Sequence, residues 1–262
     1  MKPAPFTYHR PETAAEAVGL LADLGDGVKL LAGGQSLLPM LNLRLAVFDD
    51  LVDVSRIDEL SGIERREGHL WIGAGTTEAA VERSAEVAAA VPLLARATPL
   101  IGHRQIRNRG TIGGSLAHAD PAAEYPAVVL ALDAELEAVS PRGARTIAAA
   151  DFFTGFWSTA LDEDELLTGV RLPVWGGAAT RCGFGVREIA RRHGDFAIAG
   201  AAVALEVDGD DRVVRAAIGL FGLGSVPLRA GGVESGVAGR TLSEIDVAEV
   251  SRAVVADLDD GP

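Results

Sequence analysis

Two glycine-rich segments carry residue types that can bind an anion. The first is Leu30-Leu31-Ala32-Gly33-Gly34-Gln35-Ser36-Leu37, and the second is Gly110-Thr111-Ile112-Gly113-Gly114-Ser115. Glycines lack a Cβ, so they adopt positive φ and let successive N–H groups converge on an anion. Each segment alone favours an ordinary tight turn. Two of them in one chain favour a clamp for a diphosphate, and neither matches the Walker or Rossmann pattern.

A basic segment precedes the second glycine-rich segment. It carries His103, Arg104, Arg107 and Arg109 in a chain whose formal net charge is −13. Three interpretations are open: a positive field around the diphosphate, a docking surface for an acidic partner, or a solvated basic face.

Polar residues follow the second glycine-rich segment. Asp120 is expected to cap a helix that starts after Pro121, and Glu124 can accept hydrogen bonds from a ribose. His118 has no partner at metal-ligand spacing, so no metal site is predicted. No Ser/His/Asp constellation indicates a nucleophile, and no catalytic residue is assigned.

The composition excludes several function classes. With 24 basic and 37 acidic residues, the chain is not expected to bind nucleic acid. The single cysteine, Cys182, can form neither an internal disulfide nor an iron–sulfur cluster, which fits a reducing cytoplasm. Apolar runs fall short of the ~18 residues that span a membrane, and the first residues show no signal peptide.

Hydrophobic periodicity and turn residues predict the elements that position these segments. Thr13 is expected to cap the first helix. The predicted strands are Phe6–His9, Val28–Ala32, Asp50–Val54, Glu135–Val139, Thr146–Ile147, Leu166–Leu172, Ala201–Val207 and Val213–Phe221, the last two joined by an Asp-Gly turn. The predicted helices are Ala14–Leu24, Val81–Ala97 with a break at Pro92, one after Pro121 that buries Tyr125, Val128, Val129 and Leu132, and a helical end from Leu242 to Val255.

The motifs together resemble a known family. Ala-Gly-Gly-Gln-Ser at 32–36, Thr-Ile-Gly-Gly-Ser at 111–115, Ala119-Asp120-Pro121 and Glu124 are similar to the FAD-binding medium subunit of the xanthine dehydrogenase/carbon monoxide dehydrogenase family. The resemblance implies an α+β fold. An FAD-binding domain of the vanillyl-alcohol-oxidase (PCMH) type would span 1–173, with two α/β subdomains at about 1–55 and 56–173. A smaller α+β domain would span 178–262.

The resemblance also implies an FAD site. The two glycine-rich segments would hold the pyrophosphate through backbone N–H groups, with Glu124 on the adenosine side. Phe196 would lie over the flavin ring, although a core aromatic is an equal alternative. The residues implied to bind FAD are Lys29, Leu30, Leu31, Ala32, Gly33, Gly34, Gln35, Ser36, Leu37, Ile101, Thr111, Ile112, Gly113, Gly114, Ser115, Asp120, Glu124, Leu167, Arg187 and Phe196.

The function implied by the resemblance is electron transfer. FAD would accept electrons from [2Fe-2S] clusters in a small partner subunit, while a large subunit with a molybdenum cofactor oxidises the substrate. The assembly would be a dimer of heterotrimers, and the chain's early end would shorten or remove the family's last helix. The alternative is a free-standing FAD oxidase or dehydrogenase that acts on a small organic substrate. Neither the substrate nor the final acceptor follows from the sequence.

Overall fold

The N-terminal residues form a small parallel sheet. The computed structural model describes residues 2–259. Its first elements are β1 (Thr7–His9), α1 (Ala14–Leu24), β2 (Val28–Leu31), α2 (Leu37–Leu43) and β3 (Asp50–Asp53), and the strand order is β1-β3-β2. The three strands predicted in this region are confirmed to within one residue, and the predicted helix Ala14–Leu24 is confirmed. The Thr13 hydroxyl caps α1 as predicted, because it accepts a hydrogen bond from the Glu16 N–H at 3.1 Å.

The middle of the chain forms an antiparallel sheet with short helices around it. Its five strands lie in the order β4-β5-β10-β6-β7. The elements are β4 (Ile63–Arg66), β5 (His69–Gly73), α3 (Glu78–Arg83), α4 (Ala85–Ala90), α5 (Pro92–Ala97), α6 (Arg104–Arg107), α7 (Ile112–His118), α8 (Glu124–Ala131), β6 (Glu135–Ser140), β7 (Gly143–Ala148), α9 (Ala149–Phe152), β8 (Phe153–Gly155), β9 (Ser158–Thr159) and β10 (Leu166–Pro173).

The single helix predicted over Val81–Ala97 is wrong in its length. Three helices, α3 to α5, occupy this stretch. The extra break lies at Ser84, whose backbone is extended and whose hydroxyl accepts a hydrogen bond from the Val87 N–H at 3.2 Å. A serine hydroxyl that satisfies a free helix N–H favours a new helix start over continuation. The break at Pro92 is confirmed.

The last third of the chain forms an antiparallel sheet in the order β11-β12-β13-β14. Its elements are β11 (Arg181–Ile189), β12 (Ala199–Val207), β13 (Val213–Phe221), β14 (Leu228–Arg229), α10 (Gly231–Val237) and α11 (Val247–Asp259). The predicted hairpin is confirmed, with Val207 opposite Val213. The sequence did not single out β11. A 3₁₀ turn at Leu242–Glu244 precedes α11, and residues 260–262 lie outside the described part of the chain.

Helix α8 joins the middle sheet to the last one. All of its residues are buried, and the predicted inward residues Tyr125, Val128 and Val129 are among them. The helix lies so close to β13 that a Cβ at Gly219 would stand 2.2 Å from the Ala127 carbonyl oxygen. One hydrophobic core therefore runs through both sheets. Within residues 2–259, no helix has the length and hydropathy needed to cross a bilayer.

Candidate cofactor site

The two glycine-rich segments lie in backbone contact with each other. A Cβ at Gly33 would stand 2.1 Å from the carbonyl oxygen of Arg109 and 2.8 Å from the Cα of Gly110. A Cβ at Gly114 would approach the Ala32 Cβ to 3.6 Å. The sequence suggested that the segments act as a pair, and the structure brings them together. Glycine at position 33 is required by this close approach rather than by a turn.

The first segment connects β2 to α2 and leaves a run of backbone donors. Gly34 has φ 72°, and the Nε2 of the Gln35 side chain donates to the Gly33 carbonyl oxygen at 3.0 Å. The four N–H groups of residues 33–36 donate to no acceptor within the described part of the chain, and these residues are half-buried. Successive amides around a residue of positive φ form a concave anion site. We name residues 33–36 the cradle.

The second segment does not repeat this geometry. It forms the start of α7, and the amides of residues 112–115 already have protein acceptors. Ile112 donates to the Thr76 carbonyl oxygen, Gly113 to that of Ala74, and Gly114 to the Thr111 hydroxyl at 3.0 Å. The glycines serve close packing, since a Cβ at Gly113 would stand 2.4 Å from the Ala74 Cβ. The structure therefore supports one run of free amides, not the two that were predicted.

Asp120 lies in the turn before α8, and Glu124 is the first residue of that helix. The expectation that Asp120 caps this helix is wrong, because the helix begins at Glu124 with Ala123 before it. One oxygen of Asp120 accepts from the Ala122 N–H at 2.9 Å, and the other accepts from the Trp157 indole at 3.3 Å. Asp120 thus stabilises the turn that leads into the helix.

The Glu124 side chain is buried and forms no salt bridge with any other described residue. Burial raises its pKa to about 8, and the negative charges of Glu188, Glu78 and Asp120 act in the same direction. A neutral carboxylic acid can donate as well as accept a hydrogen bond. The position suits the recognition of sugar hydroxyl groups, which both donate and accept.

An aromatic contact that the sequence did not predict lies beside Asp120. Trp157, in the β8–β9 hairpin, stacks on His118 with ring centroids 6.0 Å apart and an angle of 14° between the planes. Burial is the main cause that lowers the pKa of His118, which favours the neutral ring. Within residues 2–259, no cluster of three His, Cys, Asp or Glu side chains could hold a metal ion.

The basic segment divides into a structural part and an exposed part. Arg107 is buried and binds Glu82 through two nitrogens, at 2.9 and 3.0 Å, and it also donates to the Ile101 carbonyl oxygen at 3.0 Å. Arg104 and Arg109 are exposed and form no salt bridge within residues 2–259. His103 lies 6.2 Å from His193, ring to ring. The three interpretations of the basic segment therefore apply to the exposed His103, Arg104 and Arg109 and not to Arg107.

The remaining predicted residues lie in different surroundings. Phe196 is 65% exposed, so the interpretation of it as a core aromatic is wrong. Leu167 is buried in β10, and Ile101 is half-buried. Arg187 is exposed on β11, and its guanidinium donates to the Val186 carbonyl oxygen at 2.8 Å. The Lys29 ammonium lies 5.9 Å from the centre of the Phe48 ring.

The arrangement fits a dinucleotide cofactor such as FAD. The free amides of the cradle can take a diphosphate, which has no need of a Lys when backbone dipoles supply the positive field. Ser36 and Ser115 add hydroxyl groups that form no hydrogen bond within the described residues. Glu124, which follows the second glycine-rich segment along the chain, adds a buried carboxyl group.

Family models match most of the chain. Residues 4–175 match the family described as the FAD binding domain in molybdopterin dehydrogenase, and residues 185–260 match the CO dehydrogenase flavoprotein C-terminal domain. The chain is 41% identical over 265 residues to the 6-hydroxypseudooxynicotine dehydrogenase complex subunit alpha of Paenarthrobacter nicotinovorans, covering 100% of this chain and 88% of that one.

Two solved structures have the same fold. Carbon monoxide dehydrogenase from Hydrogenophaga pseudoflava, in a form that lacks the Mo-pyranopterin moiety, gives a TM-score of 0.91 at 40% identity over 98% of this chain and 87% of that one. Quinoline 2-oxidoreductase from Pseudomonas putida 86 gives a TM-score of 0.89 at 34% identity, over 100% of this chain and 88% of that one.

Proposed function

Because this chain belongs to the family of FAD-binding flavoprotein subunits of molybdopterin dehydrogenases, we propose that it is the electron-transferring subunit of a molybdenum hydroxylase complex. The observation that carries the proposal is the cradle, which lies beside the backbone of Arg109. Within residues 2–259, its four N–H groups have no protein acceptor. A diphosphate supplies the acceptors that these amides lack.

The chain's own residues bind and orient the cofactor. The amides of residues 33–36 hold the diphosphate, and the buried Glu124 side chain binds a sugar hydroxyl group. Phe196, which is exposed in the loop between β11 and β12, provides an aromatic face for the flavin ring. FAD, when bound, supplies chemistry in one-electron and two-electron steps, so the protein needs no nucleophile of its own.

The proposed partner subunits carry the metal cofactors that this chain cannot hold. The single Cys182 cannot supply the four thiolates of an iron–sulfur cluster. Because the chain belongs to a family of molybdopterin dehydrogenase flavoproteins, we assign the [2Fe-2S] clusters to a small subunit and the molybdenum cofactor to a large one, in a dimer of heterotrimers. The electrons go from the clusters to FAD and then to an external acceptor. The lone cysteine also supports a cytoplasmic location.

The finer description of the fold is part of the same proposal. We assign an FAD-binding domain of the PCMH type to residues 1–173, with subdomains at about 1–55 and 56–173, and a second domain to 178–262. The end of β3 at Asp53 and the end of β10 at Pro173 support these limits, because each sheet is complete at that point.

The test begins with the isolated chain. We expect the purified protein to show flavin absorption, or to acquire it when FAD is added. Retention of no FAD at any concentration would overturn the proposal. The second step is coexpression with candidate molybdenum and iron–sulfur subunits. We expect a complex in which substrate reduces the flavin only when both partners are present. Reduction of the isolated chain by an organic substrate would favour a free-standing oxidase or dehydrogenase instead.

A further inference from the structure

A buried carboxyl group stands behind the cradle. Glu78 is the first residue of α3, and its N–H donates to the Gly110 carbonyl oxygen at 2.9 Å. Its carboxyl group contacts Gly110 so closely that a Cβ at this glycine would stand 2.6 Å from the Glu78 Oε2. Gly110 in turn touches Gly33. One layer of backbone thus separates the Glu78 carboxyl group from the cradle.

The surroundings of Glu78 do not suit a negative charge. The residue is 4% exposed, and its Oε2 has no hydrogen-bond partner among the residues that the structure describes. Removing a carboxylate from water without a partner is costly, so such a group keeps its proton. Burial raises the pKa of Glu78 to about 7, although the positive charge of Arg107 opposes the rise.

The charged and titratable groups around Glu78 do not neutralise it. Arg107, from α6, is held by both oxygens of Glu82, so its charge is already paired. From α8, Glu124 and Tyr125 also face this region, and both are buried. Glu82, on the same helix as Glu78, adds a further carboxylate. An anion bound in the cradle would add negative charge to a region where Glu78 already lacks a cation of its own.

We propose that Glu78 is a positioning residue of the cradle, which holds a proton while FAD is bound and so couples FAD affinity to pH. The inference rests on the proposed function, because it takes the diphosphate of FAD as the occupant of the cradle. When FAD binds to the protein with Glu78 ionised, the carboxylate takes one proton from solvent and becomes a neutral acid. No electrons move in this step.

The direction of the effect follows from linkage. Above the pKa of Glu78 in the FAD-free protein, binding must take up a proton, so FAD affinity falls as pH rises. Full coupling to one proton weakens affinity about tenfold per pH unit. Glu124 couples in the same direction, so the wild-type protein is expected to take up protons at both positions. A variant without an ionisable group at position 78 leaves only the proton uptake of Glu124, so the contributions of the two residues can be measured separately.

The experiment uses the full chain freed of FAD. FAD dissociation constants are measured by flavin fluorescence from pH 6 to 9, and proton uptake is measured by titration calorimetry in two buffers of different ionisation enthalpy. The variants are Glu78→Gln and, as a matched control, Glu86→Gln. Glu86 lies in the first turn of the neighbouring helix α4 but is exposed.

We expect wild type and Glu86→Gln to take up protons near pH 8 and to lose affinity as pH rises. Glu78→Gln is expected to take up fewer protons and to bind FAD several-fold more tightly than wild type at pH 9. An absence of proton uptake in the wild type would overturn the inference, even if Glu78→Gln does not fold. Equal uptake in wild type and Glu78→Gln would also overturn it. Failure of the wild type to bind FAD at any pH would instead overturn the proposed function.

Discussion

Gly33 and Arg109 are in van der Waals contact through their backbones. The space at Gly33 is so small that a Cβ there would stand 2.1 Å from the Arg109 carbonyl oxygen. The contact joins the strand–helix connection after β2 to the segment before α7. It places the free amides of the cradle beside the second glycine-rich segment. The contact can form only if residue 33 has no Cβ, so the geometry of the cradle depends on glycine at that position.

Gly33→Ala is expected to separate the two segments and weaken FAD binding at least tenfold. Overpacking at a tight contact typically costs about 1–3 kcal/mol of stability, so the variant should still fold. FAD titration by fluorescence measures the loss. Gly19→Ala is the matched control, because a Cβ at Gly19 meets nothing within 4 Å. Unchanged FAD affinity in Gly33→Ala would show that the contact does not shape the cradle.

Arg107→Ala is expected to lower the free energy of unfolding by about 3 kcal/mol, because it leaves the partly buried Glu82 carboxylate without its partner. The change also removes a donor from the Ile101 carbonyl oxygen. Urea unfolding measures the effect. Arg104→Ala, on the exposed side of the same helix, should stay within about 0.5 kcal/mol of wild type. Similar losses for both variants would contradict the structural role assigned to Arg107.

The FAD-free protein is expected to lose stability as pH rises from 5 to 8. The pKa of Glu124 is about 8 in the folded chain, against 4.5 for the free side chain. Between these values the folded state binds more protons than the unfolded state, so the free energy of unfolding falls with rising pH. The loss stops above the folded pKa. Urea unfolding at several pH values should show a shallower slope for Glu124→Gln, and an unchanged slope would place the titrating group elsewhere.

Phe196→Ala is expected to change stability by no more than about 0.5 kcal/mol, because the ring is already in solvent. If Phe196 contacts the flavin as proposed, the variant should nevertheless change the fluorescence or the reduction potential of bound FAD. Phe6→Ala removes another exposed phenylalanine, from a different sheet region, and should change neither property. A large loss of stability in Phe196→Ala would show that the ring is packed against the protein.

Local features of the fold could be predicted from the sequence alone. The Thr13 cap, the break at Pro92 and the hairpin around Asp208–Arg212 depend on residues within a few positions of each other. Side-chain caps, prolines and turn residues act on the neighbouring backbone, so their effect can be inferred without the tertiary structure. The same reasoning missed the helix break at Ser84, whose hydroxyl caps α4, and it misplaced Asp120, whose carboxylate binds the turn before α8.

In the candidate site, too, local motifs could be recognised in the sequence, whereas long-range contacts could not. The two glycine-rich segments and Glu124 stood out in the sequence by residue type and spacing. They indicated a diphosphate site, and the resemblance to a known family implied FAD. Three side-chain or backbone pairs follow only from the tertiary structure: Gly33 with Arg109, Glu82 with Arg107, and Trp157 with His118. The position of Glu78 behind the cradle also follows only from the tertiary structure. These partners are distant in the sequence and carry no shared motif. Their proximity arises from how the helices and sheets pack, and burial then sets their protonation and their function.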